Sequence, residues 1–370
     1  MRKKRGLVST FLRKLRLWYE KQHRKLPWRG SHDPYKIWVS EVMLQQTTVR
    51  AVLPFYRKWL KLFPDIRSLG RAPLQKVLKA WQGLGYYQRA KNLHQAAQVI
   101  CDKFRGQIPS DFDQLRNLPG FGPYTAAAVA SFAFDKSYPV VDANVRRITM
   151  RLAGLRSEAG AKNDRFLLRF LKPYLPQKRM GLFNQALMEL GSQVCRPKNP
   201  LCLLCPISDF CRAFKEGTQE IIPTPKKRKH TKVEAVVAVI QRKGKFLIQK
   251  RPPQGLLADL WEFPGGKIKA GETKEEALRQ EIREELLAEA KKIKFLVKVS
   301  HVYTQFQVTL YAYECTLKNE PHLSQGRRRW VSLKGLRRYP FPSGSAKIIE
   351  FLSTRRRKPQ AQSYETVIKK

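Results

Sequence analysis

The sequence is 370 residues long and strongly basic, with 73 lysines and arginines against 29 acidic residues and a formal net charge of +44. This length suffices for two or more domains, and an aromatic content of 11% argues against a disordered basic chain. A charge that extends along the whole chain favours a polyanionic partner. No apolar run approaches the roughly 18 residues of a membrane-spanning helix, and Arg13, Lys14 and Arg16 interrupt any signal-peptide core. We therefore expect nucleic acid, and no membrane, as the partner.

The pattern of apolar residues changes along the chain and predicts two domains. Residues 1–216 have helical periodicity broken by short glycine and proline turns, which predicts an all-α domain. Residues 217–232 combine two prolines with a basic run and are typical of a linker. Residues 233–352 contain β-branched runs, a hairpin and a helix at about 274–289, which predicts an α+β domain. Residues 353–370 are expected to form a basic tail.

Glu41 lies within an apolar stretch, WVSEVML, that is compatible with a helix. A carboxyl group in such a setting loses hydration, so its pKa should rise and it could act as a general acid near neutral pH. The alternative is a glutamate in the first turn of a helix that points to solvent.

Residues 118–142 contain a glycine turn, a helix of small residues and a final aspartate. We expect Gly120 and Gly122 to supply the positive φ angles of a sharp reversal, with Pro123 at the first helical position. The outward N–H groups of such a turn suit a phosphate. The alternative is an ordinary corner between two helices.

Asp142 follows an apolar tetrad and precedes a helix, so it could be a plain N-cap. A carboxylate at a helix start stays ionised. An ionised Asp142 and a protonated Glu41 would form the pair that cleaves a glycosidic bond through an oxocarbenium-like state. This chemistry requires both side chains to face one cleft.

Four of the six cysteines, Cys195, Cys202, Cys205 and Cys211, are spaced C-x6-C-x2-C-x5-C. This spacing indicates a metal site in a reducing compartment. Four thiolates could hold zinc, but zinc ribbons generally use two C-x2-C knuckles and only one occurs here. A compact loop around an iron–sulfur cluster fits better, with a structural role as the default.

Seven motifs occur in an order that resembles one known family. They are LPWR (26–29), WVSEVMLQQT (38–47), GLGYY (83–87), LPGFGPYTAAAV (118–129), VDANVRRI (141–148), FNQALMELG (183–191) and the cysteine loop (195–211). The chain resembles the adenine DNA glycosylases of the MutY family, in the helix–hairpin–helix superfamily. The resemblance implies a multidomain fold, with an all-α helix–hairpin–helix domain that carries a 4Fe–4S cluster loop, followed by an α+β Nudix-like domain.

The resemblance implies that adenine mispaired with 8-oxoguanine is flipped from the duplex and removed. Glu41 would protonate the adenine ring and help to position water, and Asp142, supported by Asn144, would stabilise the positive charge on the sugar. Related enzymes that also nick DNA have a lysine at position 124, which forms a Schiff base with the sugar. Tyr124 cannot do so, which implies a monofunctional enzyme that leaves an abasic site.

The resemblance also implies a set of DNA and base contacts. Gln46 and Tyr86 would wedge into the base stack, Arg29 and Gln185 would line the adenine pocket, and the Gly120–Gly122 hairpin would grip a phosphate. The C-terminal half resembles the MutT-like domain with which this family reads 8-oxoguanine, and Thr304 is the implied hydrogen-bond partner of the oxidised base. Gln305 stands where the family usually has a histidine.

Residues 266–285 are close to a Nudix box. Glu281, Glu284 and Glu285 would lie on one helical face as candidate Mg²⁺ ligands. Gln280 replaces the arginine of the box and Leu287 its glycine. An inherited scaffold helix with a solvated acidic face is therefore favoured over nucleotide hydrolysis, and Mg²⁺ is not expected to be required.

We therefore expect a monofunctional glycosylase that releases adenine from A:8-oxoguanine or A:G mispairs in double-stranded DNA. We expect a monomer that acts in the cytoplasm, associated with the nucleoid. Three alternatives remain: a bifunctional glycosylase/lyase similar to endonuclease III, a catalytically inactive lesion-binding protein, and a Nudix hydrolase of oxidised nucleotides tethered to DNA.

Overall fold

The computed structural model describes residues 2–225, 231–303, 306–323 and 326–355. The basic run of the predicted linker (226–230), the residues Thr304 and Gln305, and most of the predicted tail lie outside the described residues. Packing divides the chain into two units. The first contains the described residues up to 71 together with 95–225, and the second contains 72–94 and the described residues beyond 230. The domain boundaries expected from the sequence stay a prediction.

The chain before residue 226 is helical, as predicted. Its helices are α1 (Arg2–Gln22), α2 (Pro34–Leu44), α3 (Val49–Leu62), α4 (Ile66–Gly70), α5 (Leu74–Trp81), α6 (Gln88–Lys103), α7 (Phe112–Arg116), α8 (Pro123–Phe134), α9 (Ala143–Ala153), α10 (Asp164–Leu171), α11 (Met180–Gln193) and α12 (Arg212–Lys215). Short 3₁₀ turns occur at Ala161–Asn163, Lys172–Tyr174, Cys202–Leu204 and Ser208–Phe210. None of the helices in the described ranges combines the length and the apolar character that crossing a bilayer requires.

Helix α8 lies close to its neighbours because its side chains are small. All its residues from Thr125 to Phe132 are buried. Gly181 of α11 approaches the α8 backbone so closely that a Cβ there would lie 2.5 Å from the carbonyl oxygen of Ser131. This close packing fixes α8 against α11, and both helices contribute residues to the site described below.

The reversal between α7 and α8 uses one of the two glycines in the predicted way. Gly120 has a φ of +78°, a left-handed conformation that glycine adopts without steric cost. The expectation for Gly122 is wrong, because its φ is −69° and its ψ is 172°. Gly122 is the N-cap of α8, a position that takes extended backbone, and Pro123 follows at the first helical position. A Cβ at Gly122 would meet no atom within 4 Å, so the hairpin is open on this side.

The second unit contains the α+β architecture that the sequence predicts. Its strands are β1 (Thr231–Arg242), β2 (Lys245–Lys250), β3 (Trp261–Glu262), β4 (Ala290–Tyr303), β5 (Phe306–Leu317) and β6 (Arg328–Ser332), and its helices beyond residue 230 are α13 (Lys274–Leu286), α14 (Leu333–Leu336) and α15 (Ser343–Arg355). The sheet order is β3-β2-β1-β5-β4, and β6 pairs with β2. Strands β1 and β5 are parallel, whereas the β1–β2 and β4–β5 pairs are antiparallel.

Apolar cores cover both faces of this sheet. Ile282 and Leu286 of α13 pack on one face, and Ile348 and Leu352 of α15 pack on the other. A capping box between Thr273 and Glu276 begins α13 and satisfies N–H groups at the start of the helix.

Candidate active site

One cavity of about 870 Å³ in the first unit is lined by the catalytic and base-binding residues that were predicted in residues 1–71 and 95–216, apart from the cluster cysteines. Its lining includes both candidate acids, the hairpin glycines and the candidate base contacts: Arg29, Glu41, Gln46, Gly120, Gly122, Tyr124, Asp142, Asn144 and Gln185. The requirement that Glu41 and Asp142 face one cleft is therefore met. Tyr86 lies in the second unit.

Glu41 is buried near the middle of α2 and is only 4% exposed, so the solvent-facing alternative is wrong. The Tyr124 hydroxyl donates a hydrogen bond to its Oε2 over 2.5 Å. The pKa of Glu41 is raised from its ordinary 4.5 to about 7, because burial, aided by the negative charge of Asp142, outweighs the lowering effects of the Tyr124 hydrogen bond and the Arg29 charge. A carboxyl group with this pKa is protonated in a large fraction of the molecules at neutral pH and can donate that proton.

The capped start of α2 and a ring contact with the hairpin hold Glu41 in place. Asp33 accepts hydrogen bonds from the first N–H groups of α2, and Pro34 opens the helix. The Trp38 ring of α2 stacks on the Phe121 ring of the hairpin, with ring centroids 5.1 Å apart. Because Trp38 lies three residues before Glu41, this stacking fixes the hairpin next to the acid.

Tyr124 is the second residue of α8, and the resemblance implies a lysine at this position in related enzymes that form a Schiff base. Burial, together with the negative charge of Glu41, raises the pKa of Tyr124 well above 10. The phenol therefore stays protonated and acts as a hydrogen-bond donor to Glu41.

Asp142 is the N-cap of α9. Its Oδ1 accepts from the backbone N–H of Val145 over 2.7 Å, and its Oδ2 accepts from Asn144 Nδ2 over 2.9 Å. Burial raises the pKa of Asp142, whereas the hydrogen bonds from Val145 and Asn144 and the charge of Arg147 lower it. These donors bind the ionised carboxylate and orient it.

A second layer of contacts holds Asn144. Arg147 donates to Asn144 Oδ1 over 3.0 Å. Gly191 of α11 lies so close that a Cβ there would be 2.5 Å from the Asn144 Cβ. The glycine at position 191 therefore lets α11 reach the asparagine that orients Asp142.

Sequence reasoning missed two residues of the cavity lining, Arg24 and Glu189. Glu189 is fully buried, and its carboxylate accepts from Arg24 Nε over 2.7 Å and from Arg29 over 2.5 Å. Burial alone raises the pKa of Glu189, but the hydrogen bonds from the two arginines outweigh it and lower the pKa to about 2. Gln185, one helical turn before Glu189, accepts from the Tyr19 hydroxyl over 2.8 Å. The i,i+4 spacing of Glu189 from the predicted Gln185 was the signal that could have found Glu189.

The four cysteines of the loop, Cys195, Cys202, Cys205 and Cys211, line one small cavity together with Arg151. Arg151 is buried and lies 3.2 Å from the Cys195 sulfur. Within the described ranges, no three His, Cys, Asp or Glu side chains are grouped to hold a single metal ion. Thiols that surround a common cavity fit a cluster better than one zinc ion, and the Arg151 guanidinium would offset the negative charge of a cluster held by these thiolates.

Tyr86 lines a second cavity, of about 430 Å³, in the second unit. The segment Val302–Tyr303 at the end of β4 lines the same cavity. Thr304, the predicted reader of the oxidised base, follows directly but lies outside the described residues, as does Gln305. Tyr86 has a φ of +48°, a conformation that non-glycine residues adopt only where the surrounding structure imposes it.

Two of the three glutamates of the Nudix-like box have separate hydrogen-bond partners. Glu285 accepts from Gln249 over 2.8 Å and from the Gly265 N–H over 3.0 Å, whereas Glu284 accepts from Gln280 over 2.6 Å. Burial and the neighbouring carboxylates raise the pKa of Glu281. In the part of the chain that the structure describes, these carboxyls are not gathered into a single-ion site.

Three known protein-family models match separate parts of the chain. Residues 39–173 match the HhH-GPD superfamily of base excision DNA repair proteins. Residues 195–211 match the iron–sulfur binding domain of endonuclease III, which confirms the predicted cluster loop. Residues 235–351 match a NUDIX domain.

Curated relatives align with almost the whole chain. The adenine DNA glycosylase of Buchnera aphidicola (subsp. Schizaphis graminum) is 32% identical over 93% of this chain and 99% of the relative. That of Rattus norvegicus is 30% identical over 95% of this chain and 79% of the relative. Among solved structures, a thermostable thymine-DNA glycosylase superposes with a TM-score of 0.51 and 29% identity, covering 58% of this chain and 98% of that one. The two-acid cavity, the cluster loop and these full-length alignments together place the chain in the adenine DNA glycosylase family.

Proposed function

We propose that this protein is a monofunctional base excision repair glycosylase that hydrolyses the N-glycosidic bond of adenine opposite 8-oxoguanine or guanine. The observation that carries the proposal is the shared cavity, in which a proton-bearing Glu41 and a hydrogen-bonded Asp142 face one space. The family name of the curated relatives supports adenine as the base.

The two acids divide the chemistry between them. The adenine is flipped out of the duplex into the cavity, where Glu41 donates its proton to a ring nitrogen. The glycosidic bond then breaks, its electrons leave with the purine, and the positive charge that develops on the sugar is stabilised by Asp142. The Glu41 carboxylate takes a proton from a water molecule, whose oxygen adds to the sugar carbon and leaves an abasic site.

Arg29, Gln185 and Glu189 are suited to bind the edge of the adenine. Adenine presents both hydrogen-bond donors and acceptors, and this group supplies a guanidinium, an amide and a carboxylate within the cavity. Glu189 is held ionised by its two arginines, so it can act as the acceptor for an exocyclic amine. These residues would favour adenine over bases with a different edge.

Residues of both units are proposed to contact the DNA. The open face at Gly122 and the N-terminus of α8 offer backbone N–H groups to a phosphate. Gln46 is exposed, lines the cavity and has a φ of +59°, which suits a residue that inserts into the stack. Tyr86 and the region of Thr304 are proposed to contact the base opposite the adenine. The cluster loop is proposed to act as a structural element, and the protein as a monomer on nucleoid DNA.

The test is single-turnover release of adenine from duplexes that differ only in the base opposite the adenine. Release from A:8-oxoguanine and A:G, with none from A:T, is the expected result. Borohydride should trap no covalent adduct, because Tyr124 supplies no amine. A trapped adduct with strand scission at the rate of base release would show a bifunctional enzyme, and absence of adenine release from every duplex would refute the proposal.

A further inference from the structure

The segment 72–94, which contains the GLGYY motif, packs within the second unit and has several polar contacts to its sheet and loops. The Gln75 amide donates to the Asp259 carbonyl over 2.9 Å and accepts from the Trp261 indole over 2.9 Å. The Tyr87 hydroxyl donates to the Phe341 carbonyl over 3.1 Å. Each contact joins a residue near the motif to a residue more than 180 positions later in the chain, so the motif is anchored on the Nudix-like fold.

Asp259 is the charged centre of this anchor. It is 7% exposed and has a φ of +65°, which is uncommon for a residue other than glycine. Its two carboxylate oxygens pair with two lysines: Oδ2 with Lys91 of α6 over 2.7 Å, and Oδ1 with Lys250 of β2 over 3.1 Å. Lys91 also donates to the Pro253 carbonyl over 3.2 Å. One carboxylate therefore binds a cation from the GLGYY side and a cation from the sheet.

The loop that contains Asp259 contributes to the cavity at Tyr86. Leu256, which is 60% exposed, and Leu257, which has a φ of +59°, line that cavity together with Tyr86 and Val302. Two non-glycine residues with positive φ in one short loop indicate a conformation that its contacts impose. The contacts of Asp259 with Lys91 join this loop to α6, which begins two residues after Tyr86.

We propose that Asp259 and Lys91 are positioning residues that set the separation between Tyr86 and the loop 252–260, and thereby the discrimination between 8-oxoguanine and guanine opposite the adenine. This inference rests on the proposed function. 8-Oxoguanine differs from guanine by a carbonyl and an N–H on one edge of the purine. Protein groups can distinguish the two bases by these atoms only if they are held at a fixed distance from that edge. Selectivity therefore requires a recognition cavity of fixed width. The ion pair between Asp259 and Lys91, here called the clamp, joins the two sides of the cavity and provides this fixed width.

The two lysines give a matched pair of variants. Lys91→Met and Lys250→Met each remove one cation from the same carboxylate, but only Lys91 belongs to the GLGYY side. Lys91→Met should lower the ratio of the single-turnover rates on A:8-oxoguanine and A:G by about tenfold, with the A:G rate unchanged within about twofold. Lys250→Met should leave the ratio within about twofold of the wild type, and Lys91→Arg should restore most of it.

Asp259→Asn separates this role from a direct contact of Lys91 with DNA. If Lys91 positions the loop, Asp259→Asn lowers the ratio as Lys91→Met does, and the double variant is no worse than either single one. If Lys91 instead contacts a phosphate, Asp259→Asn releases a cation and leaves the ratio unchanged. Any of three results would overturn the proposal. They are an unchanged ratio in Asp259→Asn, an equal fall of the ratio in Lys91→Met and Lys250→Met, and a parallel fall of the A:8-oxoguanine and A:G rates in Lys91→Met.

Equilibrium affinities keep this test apart from the test of catalysis. With Glu41→Gln added to every variant, the ratio of dissociation constants for the same two duplexes measures recognition without chemistry. A wild type that releases no adenine but binds 8-oxoguanine selectively, with the selectivity lost in Lys91→Met, would refute the proposed reaction and support the clamp. Unchanged selectivity in Lys91→Met would refute the clamp whatever the catalytic result.

Discussion

Replacement of Glu41 by glutamine tests the burial of this acid through stability alone. The pKa of Glu41 is raised by burial from 4.5 to about 7, and each pKa unit corresponds to about 1.4 kcal/mol. In the folded protein the ionised form of Glu41 is therefore disfavoured, which lowers the free energy of unfolding. This loss is absent below the pKa of the unfolded state and complete above pH 7. Linkage gives a cost of about 1 kcal/mol at pH 5.5 and about 3 kcal/mol at pH 8.5.

Glutamine has no charge to bury and can still accept the Tyr124 hydrogen bond. Glu41→Gln should therefore stabilise the protein relative to the wild type, with a gain that grows by about 2 kcal/mol between pH 5.5 and pH 8.5. Urea unfolding followed by tryptophan fluorescence at both pH values measures this difference. Glu20→Gln, at a carboxyl that is exposed to solvent, serves as the control. A stability difference between Glu41→Gln and wild type that does not change with pH would refute the assigned burial.

Further predictions concern the neighbours of this acid, the rest of the cavity, the Nudix-like helix and the charge of the chain. Tyr124→Phe removes a hydrogen bond that lowers the pKa of Glu41, so the alkaline limb of the pH–rate profile should move to higher pH; a shift to lower pH would contradict this role. Glu189→Gln leaves Arg24 and Arg29 without their carboxylate and should lower the free energy of unfolding in urea by about 3 kcal/mol. A decrease of less than about 1 kcal/mol would show that these ion pairs are solvated. Leu287 directly follows α13 as its C-cap, has a φ of +50° and is 67% exposed, so Leu287→Gly should stabilise the protein by about 1 kcal/mol in the same assay, and Leu287→Ala should not. DNA affinity should fall steeply and linearly on a log–log plot against salt concentration, and a shallow slope would mean that most of the basic charge faces away from DNA.

The local features of the site could be predicted from the sequence because they depend on neighbours in the chain. The apolar residues around Glu41 predict its burial and its raised pKa, and both are found. The position of Asp142 before a helix predicts an N-cap, and the Val145 N–H confirms it. The change from helical to alternating apolar patterns predicts the all-α and α+β architectures, and the order of strands and helices confirms them.

The parts that sequence reasoning missed depend on contacts between distant residues. Glu189 meets Arg24 and Arg29, which lie 165 and 160 positions earlier, and no local pattern reports such a pairing. The packing of the GLGYY segment on the Nudix-like fold has the same origin, since Lys91 and Asp259 are 168 positions apart. The sharp reversal predicts a positive φ at both Gly120 and Gly122, yet only Gly120 has that conformation, because Gly122 is the extended N-cap of α8.

The pH dependence of single-turnover adenine release, measured with an A:8-oxoguanine duplex, tests the central claim most directly. If Glu41 donates the proton, the rate should be constant at low pH and fall tenfold per pH unit above about pH 7. Glu41→Gln should abolish release at every pH while leaving duplex binding intact. A rate that stays constant to about pH 9, or a Glu41→Gln protein that still releases adenine, would contradict the account.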